Sequence, residues 1–267
     1  MTVASSTIKK AAKNALNNSF IKSIVVCSAL LFCYLINYSI SSCINLIGGD
    51  LFSSIFFIII SLFMFAPVFF GCLRFFWRLL CGVSDNPIII FNYFTSKENY
   101  IKALKLTFNF ALKAFVYFII LSIPYFIVSL ISNIKTYELL NITIPLWTAN
   151  LSNIAVFLRS IATVGTIFLM LKYYLAPMLI IADENMDVTE AMHMSVVISK
   201  NTMLDFIYLA FSMLGWILLS LLYIPLFFTI PLFITVYLTH CTFAVSEYNE
   251  HIKKLNQENF PTFVAGI

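Results

Sequence analysis

The stretch Leu51 to Phe76, LFSSIFFIIISLFMFAPVFFGCLRFF, decides the fold class. Ile, Leu and Phe fill it almost without a break, and at ~1.5 Å per residue it reaches about 39 Å as a helix, against roughly 30 Å of hydrocarbon in a bilayer. A helix on a soluble core needs a polar face, and this one has none. It reads as a transmembrane span with Pro67 inside it. The chain around it agrees: its 267 residues are 61% hydrophobic and only 10% charged, where soluble domains run at roughly 45–50% and 25%. Mean hydropathy is +0.95. Secreted, nucleic-acid-binding and disordered classes are excluded together, and an all-α polytopic membrane protein is expected.

Working outward, six spans are predicted at about 20–40, 51–76, 106–131, 151–182, 206–223 and 226–245. They form a single membrane domain, 1–246, followed by a polar cytoplasmic tail, 247–267. The first run has no small-residue cleavage site and is read as a retained span. Gly48-Gly49 turns the chain between spans one and two, and Ser132 to Asn150 is the one sizeable loop on the far side. Arg74 and Arg78 flank Phe75, Phe76 and Trp77, as expected where a helix leaves hydrocarbon. Asp85-Asn86-Pro87 opens a short interfacial helix, Ile88 to Phe94. Segment 151–182 would measure about 48 Å as one helix, so it must tilt, kink at Pro177 or project beyond the membrane. Pro225 and Pro231 mark a tight hairpin between the last two spans.

Two stretches have the pattern of amphipathic interfacial helices. Ser5 to Asn18, SSTIKKAAKNALNN, places Ile8, Ala12 and Leu16 on one side and Lys9, Lys10 and Lys13 on others, and is expected to lie on the anionic leaflet of the membrane. Asp187-Val188-Thr189-Glu190 resembles a capping box and starts a second such helix. A surface stretch thus precedes spans one, three and five, an order that alternating topology also produces by itself. With the N-terminus inside, only Lys135 and Arg159 of the 16 Lys and Arg residues fall nearest the outside. The positive-inside rule then puts both termini in the cytoplasm.

Chemistry-bearing residues are sparse. The six cysteines include no Cys-x-x-Cys pair, and most lie in apolar runs, so they read as small buried hydrophobes. His193, His240 and His251 sit on different segments, and the seven glycines form no phosphate loop. No catalytic, cofactor or metal residue is assigned, and a non-enzymatic protein is expected. Intramembrane polar groups are the sharper signal, since each charge at depth costs roughly 2.5–3.5 kcal/mol unless paired, hydrated or snorkelling. Arg159 either snorkels outward or faces a polar cavity. Lys113 has the position of a snorkelling lysine. Asn109, Asn37 and His240 are candidates for helix-to-helix hydrogen bonds. Lys172, Tyr173, Tyr174 and Asp205 are candidate interfacial residues, with Asp205 within reach of Lys200 or Lys172.

The run Lys172 to Met194, KYYLAPMLIIADENMDVTEAMHM, with Ser195, Phe206 and Gly215-Trp216 after it, resembles the bacterial integral-membrane family catalogued as domain of unknown function 975. The opening IKKAAKNALNN resembles that family's start. The sequence departs from the family pattern at Lys200-Asn201-Thr202 and in having only Gly165 upstream of the paired tyrosines. The resemblance implies a multi-pass protein of the bacterial cytoplasmic membrane and transfers no activity. Two functions stay open: a small permease-like or transport-accessory component, with Arg159 and the kinked spans forming a polar path, and a membrane-organising or partner-binding protein without such a path. Membrane lipids are the expected partners, with no nucleic acid; a protein partner or a homo-oligomer is left open.

Overall fold

A computed structural model describes residues 5–17, 19–134, 151–220 and 226–259. Its helices are α1 (Ser5–Asn17), α2 (Phe20–Ile60), α3 (Ala66–Leu80), α4 (Asn92–Thr95), α5 (Lys97–Ile134), α6 (Leu151–Met170), α7 (Ala176–Ala182), α8 (Val188–Ser212), α9 (Leu214–Ser220) and α10 (Leu226–Asn259). Among the described residues there is no strand. Six segments are long and apolar enough to cross a membrane: Phe20–Leu46, Phe52–Leu80, Lys97–Leu130, Asn153–Ala182, Val188–Ser212 and Phe227–His251. The protein is an all-α, multi-pass membrane protein. The expected loop at Ser132 to Asn150 falls almost wholly outside the described residues, as do Lys135 and Pro225.

The chain divides into two compact units, Met1–Thr107 with Tyr173–Ile267, and Phe108–Lys172. In the larger unit, α2 folds back on itself at Gly49, whose φ of 77° suits a residue without Cβ. Serine and asparagine fasten the hairpin. The Asn37 amide donates to Ser61 Oγ at 2.7 Å, and the Ser41 and Ser53 hydroxyls each donate to the other residue's carbonyl, at 3.0 and 2.8 Å. Where helices pack in a medium as apolar as their own side chains, such bonds supply cohesion that hydrophobicity does not. Pro67 has no N–H for the Phe63 carbonyl, and the helix widens into a π turn at Ser61–Phe65 immediately upstream. The freed Phe63 carbonyl accepts the Tyr100 hydroxyl at 3.1 Å.

Beyond that turn α3 is enclosed by protein on most sides: Val68, Phe70, Cys72, Leu73, Phe75 and Phe76 are all at most 3% exposed. The chain after α3 returns along it. Asn86 accepts the Ile88 N–H and opens a 3₁₀ turn, Pro87–Phe91, while Asp85 pairs with Arg78 at 2.5 Å. At Gly71 this turn comes so close that a Cβ would lie 1.9 Å from the Ile90 carbonyl oxygen. Tyr93 is buried beside Phe70, and that burial pushes its phenol up to about 12 against the pull of the Arg74 guanidinium. Arg74 also pairs with Glu184 at 2.5 Å, and Lys102 donates to the Glu184 carbonyl, so the loop before α8 is pinned to α3 and α5.

Several sequence expectations are refined or changed here. Segment 151–182 takes the break near Pro177 that its length allowed: it tightens into a 3₁₀ turn at Leu171–Tyr173 and restarts as α7, with Pro177 in the first turn, where a missing N–H does no harm. The helix beginning at Val188 and span five are not separate, because nothing between Val188 and Ser212 breaks a helix. The break comes at Met213, just before Gly215. The tail from Glu247 begins as helix, since α10 continues to Asn259. Of the cysteines, Cys27, Cys33, Cys72 and Cys241 are buried, while Cys43 and Cys81 are exposed.

Asp187 caps α8, accepting the Thr189 N–H at 3.3 Å and the Thr189 hydroxyl at 2.5 Å. These bonds hold its carboxyl below the ordinary 3.8. A carboxylate with a lowered folded value contributes stability above its unfolded value and loses it as pH falls through the folded one. Asp187→Asn keeps an acceptor without the titration. Thermal unfolding in detergent should therefore lose less stability between neutral pH and about pH 3 in the variant than in the parent; equal losses would contradict the cap.

The smaller unit holds the rest of α5 and α6. Phe108, Leu112, Phe115, Val116, Ile119, Ile120 and Ile123 are exposed on several faces of α5, the pattern of a helix solvated by lipid. Small residues mark the inner face of α6: Ala155 and Ala162 are buried, and a Cβ at Gly165 would come 3.0 Å from a Leu121 methyl.

A polar cavity at the α1, α8 and α10 junction

The apolar stripe of α1 is taken up by protein. Ile8 and Ala12 cluster with Leu209 and Met213 of α8 and its end and with Val236 of α10, and Leu232, Phe233 and Phe243 pack around them. Phe20, just after α1, stacks on Phe228 at 5.7 Å. The pairings Phe20 with Phe228 and Ile8 with Val236 and Phe243 make α1 antiparallel to α10. Hydrogen bonds fix its first turn. The Ser5 and Ser212 hydroxyls are 3.1 Å apart, and Lys9 donates to the Ser212 carbonyl at 3.0 Å. Lys10 and Lys13 are exposed.

Between these helices lies a cavity of about 140 Å³ lined by Ser5, Ile8, Thr202, Asp205, Tyr208, Leu209, His240, Phe243, Ala244 and Glu247. It is smaller than the roughly 300–1,000 Å³ of sites for drug-sized ligands. Its inner wall is a hydrogen-bonded knot. The Tyr174 hydroxyl is 2.8 Å from Thr202 Oγ1 and 3.2 Å from His240 Nε2, joining the turn after α6 to α8 and α10. Phe206 stacks on the Tyr174 ring at 4.5 Å and lies 5.5 Å from the imidazole. Tyr237 donates its hydroxyl to the Tyr174 carbonyl, and Ser195 accepts the Leu175 N–H at 3.1 Å. The last two bonds satisfy backbone groups where the helix stops and restarts, which explains how a polar turn is tolerated in an apolar setting.

The residues singled out in the sequence are thus divided. His240 and Asp205 line the cavity, and Tyr174 bonds to His240 behind its wall. Tyr173 and Tyr174, candidates for the interface, are both buried in protein, at 7% and 8% exposure. Lys172 is exposed. Asn37 lies in the α2 hairpin, 1% exposed, bonded through its amide nitrogen. Arg159, Lys113 and Asn109 belong to the smaller unit; Arg159 is exposed with its guanidinium 6.0 Å from the Tyr125 ring centre, and Lys113 and Asn109 are half-buried. Arg159 is not among the residues lining the cavity.

Thr202, Tyr237, Ser5, Tyr208 and Glu247 were not singled out. Threonine on an amphipathic helix carries no signal of its own, and only the long-range pairing of α8 with α10 makes Thr202 a partner of His240. Among the described residues no group of three or more His, Cys, Asp or Glu side chains is placed to hold a metal ion. Comparison with protein-family models, curated proteins and solved structures finds no match for this chain.

Proposed function

We propose that the protein is a small, non-enzymatic permease-like or transport-accessory component of a bacterial cytoplasmic membrane, and that its solute site is the cavity between α1, α8 and α10. The single observation behind this is the convergence of Asp205, His240, Thr202 and Glu247 on one cavity in a chain only 10% charged. Polar groups held together at a membrane protein's core or rim commonly mark the path of a solute or ion. The cytoplasmic placement of both termini is supported by Ser5 and Glu247 lining the same cavity, which brings the two ends of the fold to one level. The resemblance of Lys172 to Met194 to the domain of unknown function 975 family is what suggests the bacterial setting, and it adds no activity.

The exposure of Arg159 favours the second reading, a membrane-organising or partner-binding protein, because that residue was the strongest candidate for a path through the spans. Flux separates the two. Proteoliposomes of the full chain should move at least one of ammonium, acetate or glycerol faster than protein-free vesicles. Asp205→Asn should slow that movement by about tenfold, the scale of a lost charged hydrogen bond in a shielded site, while Arg159→Leu leaves it unchanged. Loss with Arg159→Leu alone, or vesicles no leakier than controls, would contradict the cavity assignment.

A further inference from the structure

The helix that walls the cavity has the composition of a membrane-surface helix. Its stripe, Ile8, Ala12 and Leu16, is buried at 3%, 0% and 4% exposure. The same stripe, backed by lysines, is what binds an anionic bilayer, and it cannot serve both surfaces at once. Two features make the protein seat releasable. Its first turn is held to α8 through Ser212, which meets Ser5 and Lys9, and its centre is Ala12, which offers one methyl group. Lys10 and Lys13 stay exposed while α1 is seated. At its far end α1 is followed by Ser19, whose φ of −136° breaks the helix before Phe20, while the Ser19 and Lys22 side chains hold Ser84 at 3.1 and 2.8 Å. The start of α2 is thereby anchored independently of the α1 seat.

We propose that α1 is a detachable wall of the cavity, and that anionic lipid headgroups are the competing seat that draws it off and opens the cavity between Ser5 and Glu247. A helix with two seats for one stripe is a two-state element, and headgroup charge biases it only because Lys10 and Lys13 gain contacts in the released state. Two lysines near an anionic surface shift such a ratio by on the order of tenfold, and salt weakens the shift. The proposal rests on the cavity being the working site, yet the wall can be followed without any solute.

The test uses the full chain with Ser5→Cys and Ser212→Cys, the exposed Cys43 and Cys81 changed to Ser, in nanodiscs oxidised with copper phenanthroline. The linked peptide is quantified by mass spectrometry. In pure phosphatidylcholine the pair should cross-link rapidly. Phosphatidylglycerol should slow the reaction by about tenfold, and high salt or Lys10→Gln with Lys13→Gln should restore it. Ala12→Leu, which overfills the seat, should slow it in both lipids. Equal rates in both lipids, slowing that survives loss of the two lysines, or an Ala12→Leu variant that links as fast as the parent would each overturn the proposal. Slowing by lipid charge without any change in solute flux would leave the detachable wall standing and sink the solute reading.

Discussion

Gly71→Ala is expected to be among the most damaging single-methyl changes in the chain. The added carbon would lie 1.9 Å from the Ile90 carbonyl oxygen, 2.6 Å from its carbon and 2.8 Å from Ile90 Cα. All three neighbours are backbone, so no rotamer change relieves the clash. Either α3 or the Pro87–Phe91 turn must move away, exposing Ile90, which is 2% exposed, and loosening Tyr93 at 4%. Overpacking of this kind costs on the order of 3 kcal/mol. The measurable outcome is a strong fall in monodisperse protein after detergent extraction and a lowered unfolding temperature. Gly82→Ala is the companion: that glycine has a φ of 81° but nothing within 4 Å of a Cβ, so its effect should be confined to local backbone strain. A Gly71→Ala protein as stable as the parent would show that the returning segment does not pack on α3.

Tyr174→Ala is expected to have the next largest effect. It removes a ring stacked on Phe206 at 4.5 Å and a hydroxyl shared by Thr202 and His240. Truncating a large buried aromatic residue costs roughly 3–5 kcal/mol. Tyr174→Phe divides the two contributions: the stack survives, while His240 and Thr202 lose a partner, at about 1–3 kcal/mol. Thermal unfolding should rank parent, Tyr174→Phe and Tyr174→Ala in descending order. Because the imidazole and Thr202 also line the cavity, Tyr174→Phe should alter solute handling more than its stability loss alone would suggest. A Tyr174→Phe protein as stable as the parent would mean that the hydroxyl contributes nothing, and equal stability of the two variants would mean the same of the ring stack.

What could be read from the sequence follows from where the information lies. Apolar runs are local, so the number of spans, the Gly49 turn, the Asn86-Pro87 start and the Asp187 cap were visible in short windows, while the fifth crossing segment starts at Val188 rather than at 206. Breaks set by tertiary contact were not. The π turn before Pro67 needs a donor for the freed Phe63 carbonyl, and that donor, Tyr100, lies on another helix. The amphipathic stripe of α1 was legible, but sequence periodicity cannot tell a lipid surface from a protein groove, and the structure places that stripe on α8 and α10. The polar set was legible one residue at a time. Arg159 drew attention because charge is conspicuous in an apolar run, whereas the cavity is built from Thr202, His240 and Asp205, which are modest individually and meet only through helix pairing.

At the centre of the account is an apolar, multi-pass membrane chain that brings α1 and α10 together around that cavity, on what we propose is the cytoplasmic side. Sidedness tests it most directly. Single cysteines at Ser6 and Ser246, both exposed, in a background of Cys43→Ser and Cys81→Ser, can be treated with a membrane-impermeant maleimide in intact cells and in inverted vesicles. Both positions should label only in the inverted vesicles. Labelling of one from outside the cell and the other from inside would contradict the account.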